Sequence, residues 1–172
     1  MSGLFNYQRD MPVYFIVNNE HNDHSKLQVK VGLSKDIKVR LRNLQTGNPY
    51  ELRLMGWIET GDDRSLEYDL HKRYAGQRLH GEWFALTPGS VLNEIKFHRL
   101  DGYIATQQSA FEIVSFDRDG VPEYVGAWQW LNVEDSDFCP QCGCGCGLQY
   151  NENYGTDRCL KCGIIYGYER EP

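Results

Sequence analysis

Residues 29–49 read V-K-V-G-L-S-K-D-I-K-V-R-L-R-N-L-Q-T-G-N-P, and this run leaves the chain little conformational freedom. Val29 and Val31 are β-branched and alternate with Gln28 and Lys30, the two-residue period of a half-buried strand. Ile37, Leu41 and Leu44 then fall at i, i+4 and i+7, which gathers them on one face of a helix. Ser34 is the expected cap of that helix, and Asp36 falls in its first turn, where the helix dipole favours an anion. Lys35, Lys38, Arg40 and Arg42 cover the remaining surface. Arg40 sits at the edge of the apolar stripe, so its stem can rest on the core while its guanidinium points at whatever the preceding strand faces. Gly47 suits a left-handed closing position, and Pro49 drives Asn48 out of helical geometry.

The flanking segments supply the rest of an α+β unit. VYFIV (13–17) and LQVKVG (27–32) predict a β-hairpin with a polar loop, and ELRLMGWIE (51–59) predicts a third strand with Leu52, Leu54 and Gly56 alternating with exposed positions. A second helix is expected over 64–75, with Leu66 and Leu70 inward and Glu67 and His71 four apart on another face. GQRLHGEWFAL predicts a turn and a short strand carrying Trp83 and Phe84 as core residues. Thr87 and Pro88 then read as the N-cap and first position of a third helix. Residues 101–110 read as a connector leading to a second hairpin, FEIVSF (111–116), the turn D-R-D-G, and PEYVGAWQWL (122–131).

All six cysteines lie between positions 139 and 162. C-P-Q-C-G (139–143) and C-L-K-C-G (159–163) are knuckles in which two thiolates converge on one metal and a following glycine permits the tight turn. Cys139, Cys142, Cys159 and Cys162 are therefore the expected ligands of one structural Zn²⁺; Cys144 and Cys146 are extra, read first as bystanders, with alternative ligands or a different cluster as the other readings. A closed four-thiolate site has no open position, so this zinc holds the fold and does no chemistry. The sequence thus divides into an N-terminal extension (1–11), an α/β core of small mixed sheet and flanking helices (12–100), a β-hairpin connector (101–137) and a zinc ribbon (138–168).

Charge narrows the partners. Of 18 Lys/Arg and 24 Asp/Glu, residues 1–90 carry 12 and 11, leaving 6 against 13 in the remainder. Any phosphate-binding surface is then a local patch of the N-terminal part, while the acidic remainder suits a basic protein partner better than DNA. No apolar run is long enough to span a membrane, and the N-terminus lacks a secretory pattern, so a reducing cytoplasm is the expected compartment.

Singly, Tyr14, Lys30, Arg40, Glu67 and His71 have ordinary structural readings; their order carries more. Pro12-Val13-Tyr14 and Lys30-Val31-Gly32, followed by RLRNLQTGNP (40–49), EYDLH (67–71) and GEWF (81–84), resemble the GIY-YIG nuclease superfamily. The likeness is to its phage and bacterial branch with a V-K-I-G second motif, and it covers about 12–100. That resemblance implies a Mg²⁺- or Mn²⁺-dependent endonuclease acting on nucleic acid, DNA favoured, in a bacterial or phage-infected cell. It implies that Tyr14 helps deprotonate the attacking water and that Lys30 stands in place of the second-motif tyrosine. It further implies that Arg40 binds the scissile phosphate and that Glu67 ligates the metal. His71 shares the face of Glu67 and is placed to orient water or touch phosphate. Pro12, Val13 and Lys30 depart from the superfamily pattern; its late asparagine has no clear match, Glu82 being the nearest polar candidate. A non-cutting nucleic-acid-binding module and a protein-interaction adaptor on the same fold are the alternatives.

Overall fold

A strand that is apolar on both faces belongs in the middle of a sheet, and β1 (Val13–Asn18) is buried at all six positions. The computed structural model describes residues 11–18, 26–105, 112–116, 122–130, 137–153 and 155–166. β1 lies between β2 (Leu27–Leu33) and β3 (Leu52–Ile58), antiparallel to both. β5 (Trp83–Leu86) pairs with the outer edge of β2, and β4 (Arg78–His80) closes that side as a hairpin. The outer edge of β3 is shared. β6 (Gly102–Ile104) takes Gly56–Ile58, and β8 (Pro122–Ala127) runs parallel to Arg53–Leu54 with β7 (Glu112–Phe116) beyond it. The result is the expected α+β architecture, a mixed sheet flanked by helices.

Alternation along β1 and β2 sorts the core into two layers. Val13, Phe15, Val17, Val29 and Val31 face α2 (Asp63–Arg73) and α3 (Pro88–His98), where they meet Leu70, Tyr74, Val91 and Ile95. Tyr14 and Ile16 face α1 (Ile37–Thr46) and meet Leu41, with Ile37 and Leu44 at the margin, as the helical spacing predicts. The simple alternation expected of β3 fails. Phe15 pairs with Gly56 but Ile16 with Leu54, so Met55 is an extra residue in a bulge. The bulge flips the pattern, placing Trp57 on the face of Leu52 and Leu54 and sending Met55 and Ile58 to the other core. Helices on both sides then leave no exposed face to the strand.

Helix ends also differ from expectation. Asp36, not Ser34, caps α1 by accepting from Val39 N at 2.9 Å, so the helix begins at Ile37. Ser34 Oγ instead accepts from Asp36 N at 3.2 Å and sets the carboxylate's approach. Gly47 has φ −101° and is not left-handed. The stop comes from Gln45, whose Nε2 donates to the carbonyls of Asn48 and Tyr50 while its Oε1 accepts from Leu52 N. One side chain thereby replaces the bonds a left-handed cap would make. α2 opens on Asp62 and α3 on Thr87, each accepting from the backbone N–H three residues on. Glu94, buried on α3, accepts from Arg73 Nη1 at 2.5 Å and Tyr74 Oη at 2.7 Å and so ties the two helices together.

The expected connector contains a strand, β6. Its Gly102 lies so close to α3 that a Cβ there would collide with the Ile95 carbonyl oxygen, a packing constraint with no local sequence signature. β6 and β8 both join β3, so segments on either side of residue 100 share one sheet. A separate antiparallel sheet forms from β9 (Gln149–Asn151), β10 (Thr156–Arg158) and β11 (Ile165–Tyr166). The N-terminal extension to residue 10, the D-R-D-G turn (117–120) and residues 167–168 lie outside the described residues. Among the described residues no helix is long and apolar enough to cross a membrane.

Candidate active site

Tyr14 and Gly32 are cross-strand partners on the α1 side of the sheet. A Cβ on Gly32 would lie 2.6 Å from Tyr14 Oη and 2.9 Å from its Cζ, so the phenol ring occupies the space a side chain would need. Glycine is required here by close approach. From α1, Arg40 Nε donates to Tyr14 Oη at 3.2 Å. Burial pushes the phenol's pKa up, against the opposing effect of the Arg40 bond and charge, so Tyr14 is neutral near pH 7. The same bond holds Arg40 firmly protonated.

Lys30 follows on the same face of β2. It is almost enclosed, and its Nζ donates to Glu82 Oε2 at 2.6 Å. Glu82 sits in the β4–β5 turn, which Gly81 makes with φ +52°. Burial would raise the Glu82 pKa, but the Lys30 bond and charge, with His71 and Arg40, outweigh it and hold the carboxyl below its ordinary range. Trp83, the register partner of Lys30, is half-buried with Nζ 5.8 Å from its ring centroid; it belongs as much to this site as to the core. Phe84 is fully buried, as expected.

α2 packs on the opposite face, yet its residues reach the site around the edge of β2. β5 ends its pairing at Lys30, which leaves the next peptide of β2 to find other partners. Val31 N donates to Glu82 O at 3.1 Å, and Val31 O lies 2.9 Å from His71 Nε2. A carbonyl only accepts, so Nε2 carries a proton, and it is Nδ1 that is left to accept one. Glu67, one turn earlier, is half-buried, and burial raises its pKa, with His71 opposing. Its charge is felt by Tyr14, and it in turn feels Glu82 and Lys30. Among the described residues no hydrogen bond or ion pair occupies the Glu67 carboxylate. A partly dehydrated, unengaged carboxylate is a fitting ligand for a hard divalent cation.

The structure therefore gathers Tyr14, Lys30, Arg40, Glu67 and His71 at one sheet edge and adds Glu82. Glu82 was visible in sequence only as a polar residue of G-E-W-F; that it pairs with Lys30 required the β2–β5 register. Gln45, the Q of L-Q-T-G-N-P, carries no local signal of its role, which is to fasten the helix stop to β3.

Residues 11–99 match the T5orf172 domain, a nuclease-associated domain of phage type, over more than half of the chain. The chain belongs to the T5orf172 family. Comparison with curated proteins and with solved structures gives no match. All six residues of the candidate site lie inside the T5orf172 domain.

Beyond the T5orf172 domain lies the thiol cluster. Sγ atoms of Cys139, Cys142, Cys159 and Cys162 all fall within 4.8 Å of one another, with Cys139–Cys162 and Cys142–Cys159 at 3.7 Å. Zn–S bonds of about 2.3 Å give tetrahedral S···S edges of about 3.8 Å, so the four thiols fit one zinc ion. Gly143 and Gly163, which follow the two pairs, have φ +70° and +75°, as the knuckle turn requires. Cys144 and Cys146 are not remote from the cluster: Cys144 Sγ is 3.6 Å from Cys159 Sγ and 2.8 Å from Cys146 Sγ. Their C-G-C-G segment fastens the ribbon to β6, which in turn pairs with β3 of the T5orf172 domain. Gly145 N donates to Gly102 O at 2.5 Å and Ile104 N to Gly143 O at 2.7 Å, while Tyr103 stacks on Trp57 at 5.3 Å.

Proposed function

We propose that this protein is a metal-dependent phosphodiesterase of the GIY-YIG type, an endonuclease that cuts nucleic acid, DNA favoured, at the edge of β2. The observation that carries this reading is that a fixed arginine and an unengaged, half-buried carboxylate both act on Tyr14 at that edge. Phosphoryl transfer asks for positioning and charge stabilisation more than covalent chemistry, and these groups supply both. Arg40 spends its Nε on Tyr14, which leaves the two terminal amino groups for a phosphate in fixed orientation.

Glu67 would hold Mg²⁺ or Mn²⁺, which when bound polarises a phosphate oxygen and lowers the pKa of water. A buried neutral phenol is a poor base, so in this reading Tyr14 fixes the guanidinium. His71 Nδ1 then takes the proton of the water that adds to phosphorus as the bond to one bridging oxygen breaks, and the departing oxygen is protonated from solvent. Lys30 adds positive charge, with Glu82 holding it in place. The zinc ribbon docks on β6 and gives the acidic C-terminal half a rigid base for a target or protein partner.

The test is incubation of the full chain with supercoiled, linear and single-stranded DNA and with RNA, in Mg²⁺, Mn²⁺ or EDTA. Cutting should require the metal and be lost in Glu67→Ala and in Arg40→Ala. Binding without cutting, unaffected by Glu67→Ala, would instead establish the non-cutting module; neither binding nor cutting would point to the adaptor.

A further inference from the structure

Next to the charged cluster, on the same face of the sheet, opens a cleft of about 490 Å³. Its polar and aromatic walls are Asn18 and Gln28, a cross-strand pair on β1 and β2, with Asn43 of α1, Tyr50 of the following loop, and His80 and Trp83 of the β4–β5 hairpin. The cleft continues the phosphate-handling site. Gln28 is two residues from Lys30 on one strand face, about 6.6 Å away. Asn43 is three residues beyond Arg40, about 4.5 Å along the helix axis. Trp83 belongs to both sites. The chemistry changes sharply between them: no lysine, arginine, aspartate or glutamate lines the cleft, whereas amides line it on several sides.

One of those amides has a carbonyl oxygen without a partner among the described residues. Asn18 is 8 % exposed, and its Oδ1 is buried with no hydrogen-bond partner among the described residues. A buried acceptor left unpaired is costly, and it points to a donor supplied by a ligand. His80 and Trp83 present ring planes within 26° of parallel beside it. Uncharged, edge-reading amides beside flat aromatic faces suit a planar polar ring and not a second phosphate.

We infer that this cleft receives one unpaired nucleobase of the substrate strand, adjacent to the phosphate held by Arg40, with its edge read by Asn18, Gln28 and Asn43. The inference rests on the phosphodiesterase reading of the neighbouring site. It specifies the substrate further: a base can enter only from a single strand or after extrusion from a duplex.

The experiment compares binding of the full chain, in EDTA, to dye-labelled twelve-nucleotide strands of oligo-dA, oligo-dT and an abasic deoxyribose-phosphate strand of equal charge. The base-bearing strands should bind at least about fivefold more tightly than the abasic one, the minimum for one stacked base. Asn43→Ala and His80→Ala, both at exposed positions, should each narrow that gap while leaving the abasic affinity and its salt dependence unchanged. Asn18→Leu should narrow it most; the two exposed variants keep the test valid if Asn18→Leu does not fold. Arg40→Ala should weaken all strands alike. Equal affinity for base-bearing and abasic strands, or a gap unchanged in the variants, overturns the inference and leaves the phosphodiesterase reading standing. Failure of wild type to bind any strand also overturns the inference, and the phosphodiesterase reading then stands or falls on the cutting assay alone.

Discussion

Gly32→Ala places one methyl group where the Tyr14 ring now lies, and its consequences follow from distances. The new Cβ would stand 2.6 Å from Tyr14 Oη and 2.9 Å from Cζ, so the hydroxyl must move about 0.8 Å to restore a 3.4 Å contact. Tyr14 is fully buried, and its 3.2 Å bond to Arg40 cannot absorb the shift. Moved toward Arg40, the hydroxyl would come within about 2.4 Å; moved away, it would stand at about 4.0 Å and the bond would be lost. Overpacking of this kind costs about 1–3 kcal/mol. For a chain of this size that lowers Tm by roughly 2–12 °C, at about 2–4 °C per kcal/mol. The discriminating assay is a double-mutant cycle by thermal melting. Tyr14→Phe removes the atom in closest conflict, so Tyr14→Phe/Gly32→Ala should be less destabilised than the sum of its singles by more than about 0.5 kcal/mol. Additivity would refute the argument that the glycine serves the tyrosine.

Glu82→Gln should lower Tm by the equivalent of about 1 kcal/mol, because Lys30 is enclosed but Glu82 is 43 % exposed and solvent screens the pair. The Glu82 pKa is depressed in the fold, so its contribution is present above the unfolded value, about 4.3, and is lost as pH falls through the lower folded value. Melting profiles of wild type and Glu82→Gln should therefore converge only in acid below the ordinary carboxylate range. Glu67 behaves oppositely: burial raises its pKa in the metal-free protein, so its carboxyl should take up a proton already above the ordinary glutamate range as pH falls, and an NMR titration without metal that places it at or below about 4.3 would exclude the desolvated ligand. Elemental analysis should find about one zinc per chain. Cys159→Ser should abolish it and Cys144→Ser should not; equal loss in both would make Cys144 a ligand.

Much of this protein follows from local rules. The i, i+4, i+7 spacing of Ile37, Leu41 and Leu44 placed α1 and its buried face, and Thr87-Pro88 placed the start of α3. The two C-x-x-C-G runs placed four thiols and two left-handed glycines, since ligand spacing and turn geometry are set within five residues. Motif order likewise marked Tyr14, Lys30, Arg40, Glu67 and His71 as a set. Such features are legible because each depends on a few adjacent residues and on helix or strand periodicity.

Tertiary structure decided what depends on register and on who lies opposite. The Met55 bulge reverses the facing of β3, and nothing in L-R-L-M-G-W-I signals it, because its cause is the pairing with β1. Gly102 and Gly32 are small for reasons found on another element, the Ile95 carbonyl and the Tyr14 ring. The edge of β2 decides the site itself: where β5 stops pairing, the next peptide group takes His71 from one side of the sheet and the Glu82 carbonyl from the turn. Residues from both helical layers thereby reach one place. Sequence named the groups, while the unpaired backbone at a sheet edge, which must find partners across space, brought them together.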